Sequence, residues 1–169
     1  MVSLTIARSV GRLVEARCAG NPDEAKVAEW RRQTLACVGA CVTELGKRVV
    51  SCADLRASAL IRPAVAEDII ALMRDTSHSV ERSAVVCTGG ATFTLQLQRI
   101  VREGADANHQ PRRIFTDAGA AFAWLDEVLD PAERVRVRQF IAEFQPSAAE
   151  TALNTLGHLQ NGRAPRGGR

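Results

Sequence analysis

Three times in this chain a short apolar, β-branched run gives way, after a turn, to residues that start a helix. "KRVVSCADL" leads to Pro63, "RSAVVCT" leads to Thr92, and "RRIFT" leads to Asp117. The run in "RSAVVCT" is apolar without alternation, as in a strand covered on both faces. Repeated strand–helix alternation folds as a mostly parallel sheet with right-handed crossovers. This alternation constrains the fold more than any other feature of the sequence, and the chain shows no internal repeat.

The rest of the pattern extends it. Val2, Leu4 and Ile6 alternate with Ser3, Thr5 and Ala7, which predicts a half-buried strand. "RLVEARCAG" is a second strand, and the connection "RSVG" is too short for anything but an antiparallel hairpin. "NPDEAKVAEW" starts a helix, with Asn21 as cap, Pro22 in the first turn, and Asp23 and Glu24 at the positive end of the dipole. Val27, Trp30, Leu35, Val38, Val42 and Leu45 fall near a helical period, and Gly46 stops that helix.

Later stripes are Val65, Ala66, Ile69, Leu72 and Met73; then Phe93, Leu97, Ile100 and Val101 behind a Thr92 cap; then Ala118, Ala121, Phe122, Leu125, Val128 and Leu129 behind an Asp117 cap. Asp130 and Pro131 repeat the cap-then-proline signal for a last helix, "PAERVRVRQFIAEF". Its stripe of Val137, Phe140, Ile141 and Phe144 is explained by docking on the domain. The expected order is ββαβαβαβα plus an extra C-terminal helix, in one α/β domain over residues 1–145. Residues 146–169 form an extension with a weak helical patch from Ala148 to Leu159 and a Gly/Pro/Arg tail expected to be disordered.

At 169 residues, 46% hydrophobic and 24% charged, the chain has the composition of one globular domain. It contains no Tyr, so Ala, Val, Leu and Ile must build the core. The net charge of +3 is mild, and the C-terminal arginines lack the interleaved aromatics of a nucleic-acid surface. No apolar run is long enough to span a bilayer, and "MVSLTIARSVG" lacks the pattern of a signal peptide, so a cytoplasmic location is expected. Five scattered cysteines without a CxxC read as small buried hydrophobes. His78, His109 and His158 lie in separate polar segments and match no metal-ligand spacing.

Catalytic patterns are equally sparse. "CTGGAT" follows a strand and precedes a helix, but it meets neither the GxxxxGK[ST] nor the GxGxxG pattern. Asp54 and Arg56, two apart at a strand end, read as a salt-bridged or capping pair. Glu67–Asp68 and Asp126–Glu127 are adjacent and point apart on a helix, as solvated faces do. No Ser/His/Asp or Cys/His arrangement stands out. Thr88, Thr92, Ser77 and Ser79 are loop hydroxyls open to phosphorylation. The expectation is a non-enzymatic protein without cofactor or metal.

Three stretches, in order, resemble the STAS domain, and more closely its SpoIIAA-like branch of anti-sigma-factor-antagonist-like bacterial proteins. They are "VVSCADLRASALI", "ERSAVVCTGGATFTLQLQRIVRE" and "RRIFTDAGAAFAWLDEVL"; the last, with Phe115, Asp117, Ala121, Trp124 and Leu125, is the most telling. The resemblance covers about residues 1–130. It implies a regulatory module that works by protein contact, with a regulator or kinase-type protein as partner. In partner-switching members a serine or threonine at the start of the second helix is phosphorylated. Here that corner reads "LIRPAV", and Ala59 to Asp75 contains no hydroxyl. The resemblance therefore implies a contact surface of Arg56, Arg62, Glu67, Thr88, Gly90 and Thr92 without the usual switch. The alternative is a small apolar ligand or lipid held in the manner of the similar Sec14 fold, for which the many alanines leave room. Self-association through the first hairpin or the last helix would give a homodimer.

Overall fold

The protein is described by a computed structural model over residues 2–88, 90–106 and 109–144. The expected extension, including the patch from Ala148 to Leu159, lies outside these described residues.

The hairpin is β1 (Ser3–Val10) and β2 (Leu13–Ala19), paired antiparallel. Gly11 turns it at φ 53°, a left-handed conformation that suits a residue without Cβ. There follow α1 (Glu24–Leu45), β3 (Val49–Ala57), α2 (Pro63–Thr76), β4 (Val80–Val86), α3 (Ala91–Glu103), β5 (Arg112–Phe115), α4 (Ala118–Asp126) and α5 (Pro131–Ala142). The sheet runs in the order β1-β2-β3-β4-β5, and β2 to β5 are parallel. The mostly parallel α/β sheet expected from the alternation is present, with the elements in the expected order.

Period-two alternation divides the side chains of the central strands between two cores. Leu13, Val50, Cys52, Ala84 and Val86 face α4 and α5, where they meet Ala121, Leu125, Leu129, Val137 and Phe140. Val85 and Cys87, with Ala53 and Leu55, face the other way and meet Val27 of α1, Val65 and Ile70 of α2, and Phe93, Leu97 and Ile100 of α3. Each fully buried Leu, Ile, Val or Phe among these contributes about 1.5–3 kcal/mol.

Some local readings change. The cap of α1 is Asp23, not Asn21; its carboxylate accepts from the Lys26 amide at 2.9 Å, two residues further into the chain. Thr92 does not cap α3. The cap position is Gly90, and Thr92 is an exposed residue of the first turn. The inner face of α1 is Val27, Trp30, Thr34, Val38 and Cys41, while Leu35, Val42 and Leu45 stand exposed. The set expected from the period joined residues of two faces of a 22-residue helix, and packing against the sheet buries one of those faces. Asp117 caps α4 as expected, accepting from the Ala120 amide, and Gly46 ends α1 in the left-handed region at φ 61°.

Candidate functional site

The segment between β3 and α2 is the first place to look for a site. Arg62 sits at the N-cap position of α2 and Pro63 opens the helix, where its missing N–H costs nothing. The segment is fastened to α3. The Gln96 side chain accepts from the Ile61 amide at 3.0 Å and donates to the Ile61 carbonyl at 2.6 Å, so one side-chain amide holds both backbone polar groups of one residue. Glu67 on α2 lies 3.7 Å from the Arg99 guanidinium on α3. These contacts place the exposed Arg62 beside the second turn of α3 and the exposed Glu67 beside its third, and Gly90 and Thr92 are exposed at the start of the same helix. Two leucines that sequence reasoning had not singled out join them: Leu60 is 51% and Leu95 65% exposed.

Arg56 belongs to the opposite face. Asp54 is 1% exposed, and its carboxylate accepts from Arg56 Nε at 2.9 Å, Arg56 Nη2 at 3.0 Å and Arg17 Nε at 3.3 Å. The two arginines continue to the end of α5. Arg17 donates to the Phe140 carbonyl and Arg56 to the Ile141 carbonyl, each at 2.7 Å. These carbonyls lie in the last turn, where intrahelical partners run out and positive charge is favoured. Arg17 also stacks on the Phe140 ring and Arg56 on the Phe144 ring. The Asp54–Arg56 pair read from the sequence is thus a docking device for α5. Only the Arg56 backbone touches the exposed corner, where its carbonyl lies 3.4 Å from the Thr88 hydroxyl.

A second carboxylate fixes the start of α5. Glu133, also 1% exposed, accepts from the Asp130 amide at 2.9 Å and from the Arg12 amide of the β1–β2 turn at 2.8 Å. The arginines of α5 are engaged as well: Arg136 pairs with Glu15 and Glu143, Arg134 with Asp126, and Arg138 covers the Phe122 ring.

Four of the five cysteines are buried, as the sequence suggested. Burial raises the pKa of Cys18, Cys41 and Cys87, and pushes that of Cys52 up to about 12, so these thiols stay protonated at neutral pH.

The face under α1–α3 is less well filled. Two adjoining hollows of about 90 Å³ each lie there. The first is walled by apolar side chains, among them Val27, Val65, Phe93 and Leu97. The second reaches Arg112, which is 6% exposed and which the sequence showed only as the first residue of a strand.

No family model and no curated protein matches the chain. Solved structures do. The unphosphorylated anti-sigma factor antagonist SpoIIAA aligns with TM-score 0.53 at 12% identity, over 76% of this chain and 100% of that one. An anti-sigma factor antagonist from Mycobacterium paratuberculosis aligns with TM-score 0.50 at 12% identity, over 75% and 95%. The fold is therefore of the SpoIIAA-like, STAS type.

Proposed function

We propose that this SpoIIAA-type domain is a non-enzymatic regulatory module that binds another protein through the corner formed by the start of α2 and the start of α3. The observation that carries the reading is the pair Leu60 and Leu95, two largely exposed leucines, each next in the chain to one partner of the Ile61–Gln96 contact, with the exposed Arg62 following Ile61. Apolar side chains next to a free guanidinium suit a partner that offers apolar contacts and an acidic group. Glu67, Thr88, Gly90 and Thr92 form the rim. The neighbours named anti-sigma factor antagonists support a protein partner of regulatory kind. The start of α2 holds Arg62, Pro63 and Ala64 and no hydroxyl, which favours a constitutive contact over a phosphorylation switch.

Capture from the native cytosol tests this. Wild-type protein should recover a defined partner, and Arg62→Glu and Leu95→Asp should each weaken recovery about tenfold, the scale of a central interface residue. Equal recovery by both variants would remove the reading.

A second reading, binding of a small apolar ligand, is favoured by the hollows under α1–α3. At about 90 Å³ each they are too small for a membrane lipid and suit a ligand of a few carbon atoms.

A further inference from the structure

We infer that the hollow under α1–α3 is a binding site for a small aliphatic carboxylic acid, with its carboxylate on Arg112 and its tail along Ala16, Ala53 and Trp30. The inference rests on the small-ligand reading and adds to it a charge and an orientation.

The hollow has an origin in the sequence. One cross-strand row on this face runs Ile6, Ala16, Ala53, Val85, Ile114, in register through all five strands. The second and third positions are alanine, so the sheet is low there where Ile6 and Val85 on either side stand higher. The two lobes share Ala16, Trp30, Ala53, Met73 and Val85, and so adjoin along this depression.

The lobes differ in chemistry. In the apolar lobe the Ser58 hydroxyl is spent on the Cys18 carbonyl at 3.0 Å, which leaves the buried Trp30 Nε1 as the one side-chain donor there without a partner among the described residues. In the other lobe Arg112 donates from Nη2 to the Thr76 hydroxyl at 2.8 Å, and its Nη1 is buried with no partner. Ser51 and Ser83, bonded to each other at 2.7 Å, line the same lobe.

No carboxylate among the described residues lies within ion-pair distance of Arg112. The other arginines turned into the protein each have one: Arg12 has Glu81 and Glu133, Arg17 and Arg56 have Asp54, and Arg136 has Glu15. Burial without a counter-charge pulls the Arg112 pKa down to about 10. A buried cation in this condition is costly, and a carboxylate matches the guanidinium fork. An inorganic anion would leave the apolar lobe unfilled, and a hydrocarbon would leave Arg112 unpaired. An acid with a short aliphatic tail satisfies both. Leu60, half exposed, forms the outer wall of the apolar lobe, so this lobe borders the proposed contact corner.

The chain has two tryptophans, so the ¹⁵N-labelled protein gives two indole signals, which Trp124→Phe assigns. Trp124 packs against Phe115 and serves as an internal control. At neutral pH, hexanoate should move the Trp30 signal saturably and leave Trp124 in place. Hexanol should bind at least tenfold more weakly, and acetate should leave the Trp30 signal where it is. Arg112→Met should erase the preference for hexanoate over hexanol, and Ala53→Val should weaken hexanoate several-fold by filling the depression. Equal binding of hexanol and hexanoate would overturn the inference and leave the plain apolar reading standing. No movement of Trp30 with any probe would remove both. If Arg112→Met does not fold, the hexanoate-to-hexanol ratio on the wild-type protein decides. None of these outcomes depends on the Arg62 capture experiment.

Discussion

The two faces of the sheet treat buried charge in opposite ways. Under α4 and α5, Asp54 and Glu133 are as buried as any leucine in the core, and each gathers several donors from different elements. Under α1–α3 the buried charge is one arginine with one hydroxyl for company, beside space that side chains do not fill. A buried carboxylate held by donors from several elements fixes one arrangement of backbone and leaves little to offer a ligand. An unsaturated donor beside a hollow is poor architecture and a good receptor. The α5 face is fixed by its ion pairs and caps, and the opposite face, with the corner at its end, carries both proposed binding surfaces.

The largest effect should come from breaking the network. Asp54→Ala strands Arg17 and Arg56 and frees the end of α5. It should cost about 3–5 kcal/mol in urea unfolding, the scale for removing one partner of a buried ion pair. Glu133→Gln keeps the shape but turns one carboxylate oxygen into a donor that faces the donors it had served. A loss of about 2–3 kcal/mol is expected, and a loss under about 0.5 kcal/mol would mean the joint between hairpin and α5 is unimportant.

Gly11→Ala attacks the same joint from the backbone. A Cβ there would stand 2.5 Å from Glu133 Oε1 and would enforce φ 53° on an alanine. The expected cost is about 1–2 kcal/mol from the left-handed backbone alone. On the other face the sign reverses. Ala53→Val adds two methyl groups over a hollow and should raise stability by up to about 1.5 kcal/mol, as read from the thermal midpoint. A destabilisation of that size would show that the depression is already filled.

The sequence carries the fold because its signals are local. Asp117 and Asp130–Pro131 set helix starts without help from distant residues, and the run in "RSAVVCT" could only be covered on both sides. The α1 cap was misread because Asn21 and Asp23 flank the same proline and either side chain can cap; which one does depends on where the first turn closes. The Asp54–Arg56 pair was legible because residues two apart on a strand share a face. Its third member was not, because Arg17 reaches it through the β2–β3 register, with Arg17 opposite Asp54.

Arg112 was least legible of all. It is followed by Arg113, and the two look alike in sequence. On a strand they point to opposite faces: Arg113 covers the Trp124 ring, while Arg112 goes into the interior without an acid. Alternation says that one of them turns inward, and only the register says which. The alanines at 16 and 53 were visible as small residues, but their placement side by side is a property of strand pairing.

The comparison of the two faces comes down to whether Arg112 is a structural partner or a receptor group. Urea unfolding of Arg112→Met in the ligand-free protein tests this most directly. Met keeps the bulk of the side chain and removes an uncompensated buried charge, so the expected stability equals or exceeds that of the wild-type protein. A loss of 3 kcal/mol or more, as expected for Asp54→Ala, would mean that Arg112 is held in the interior as a partner in the fold, and that the contrast between the two faces is false.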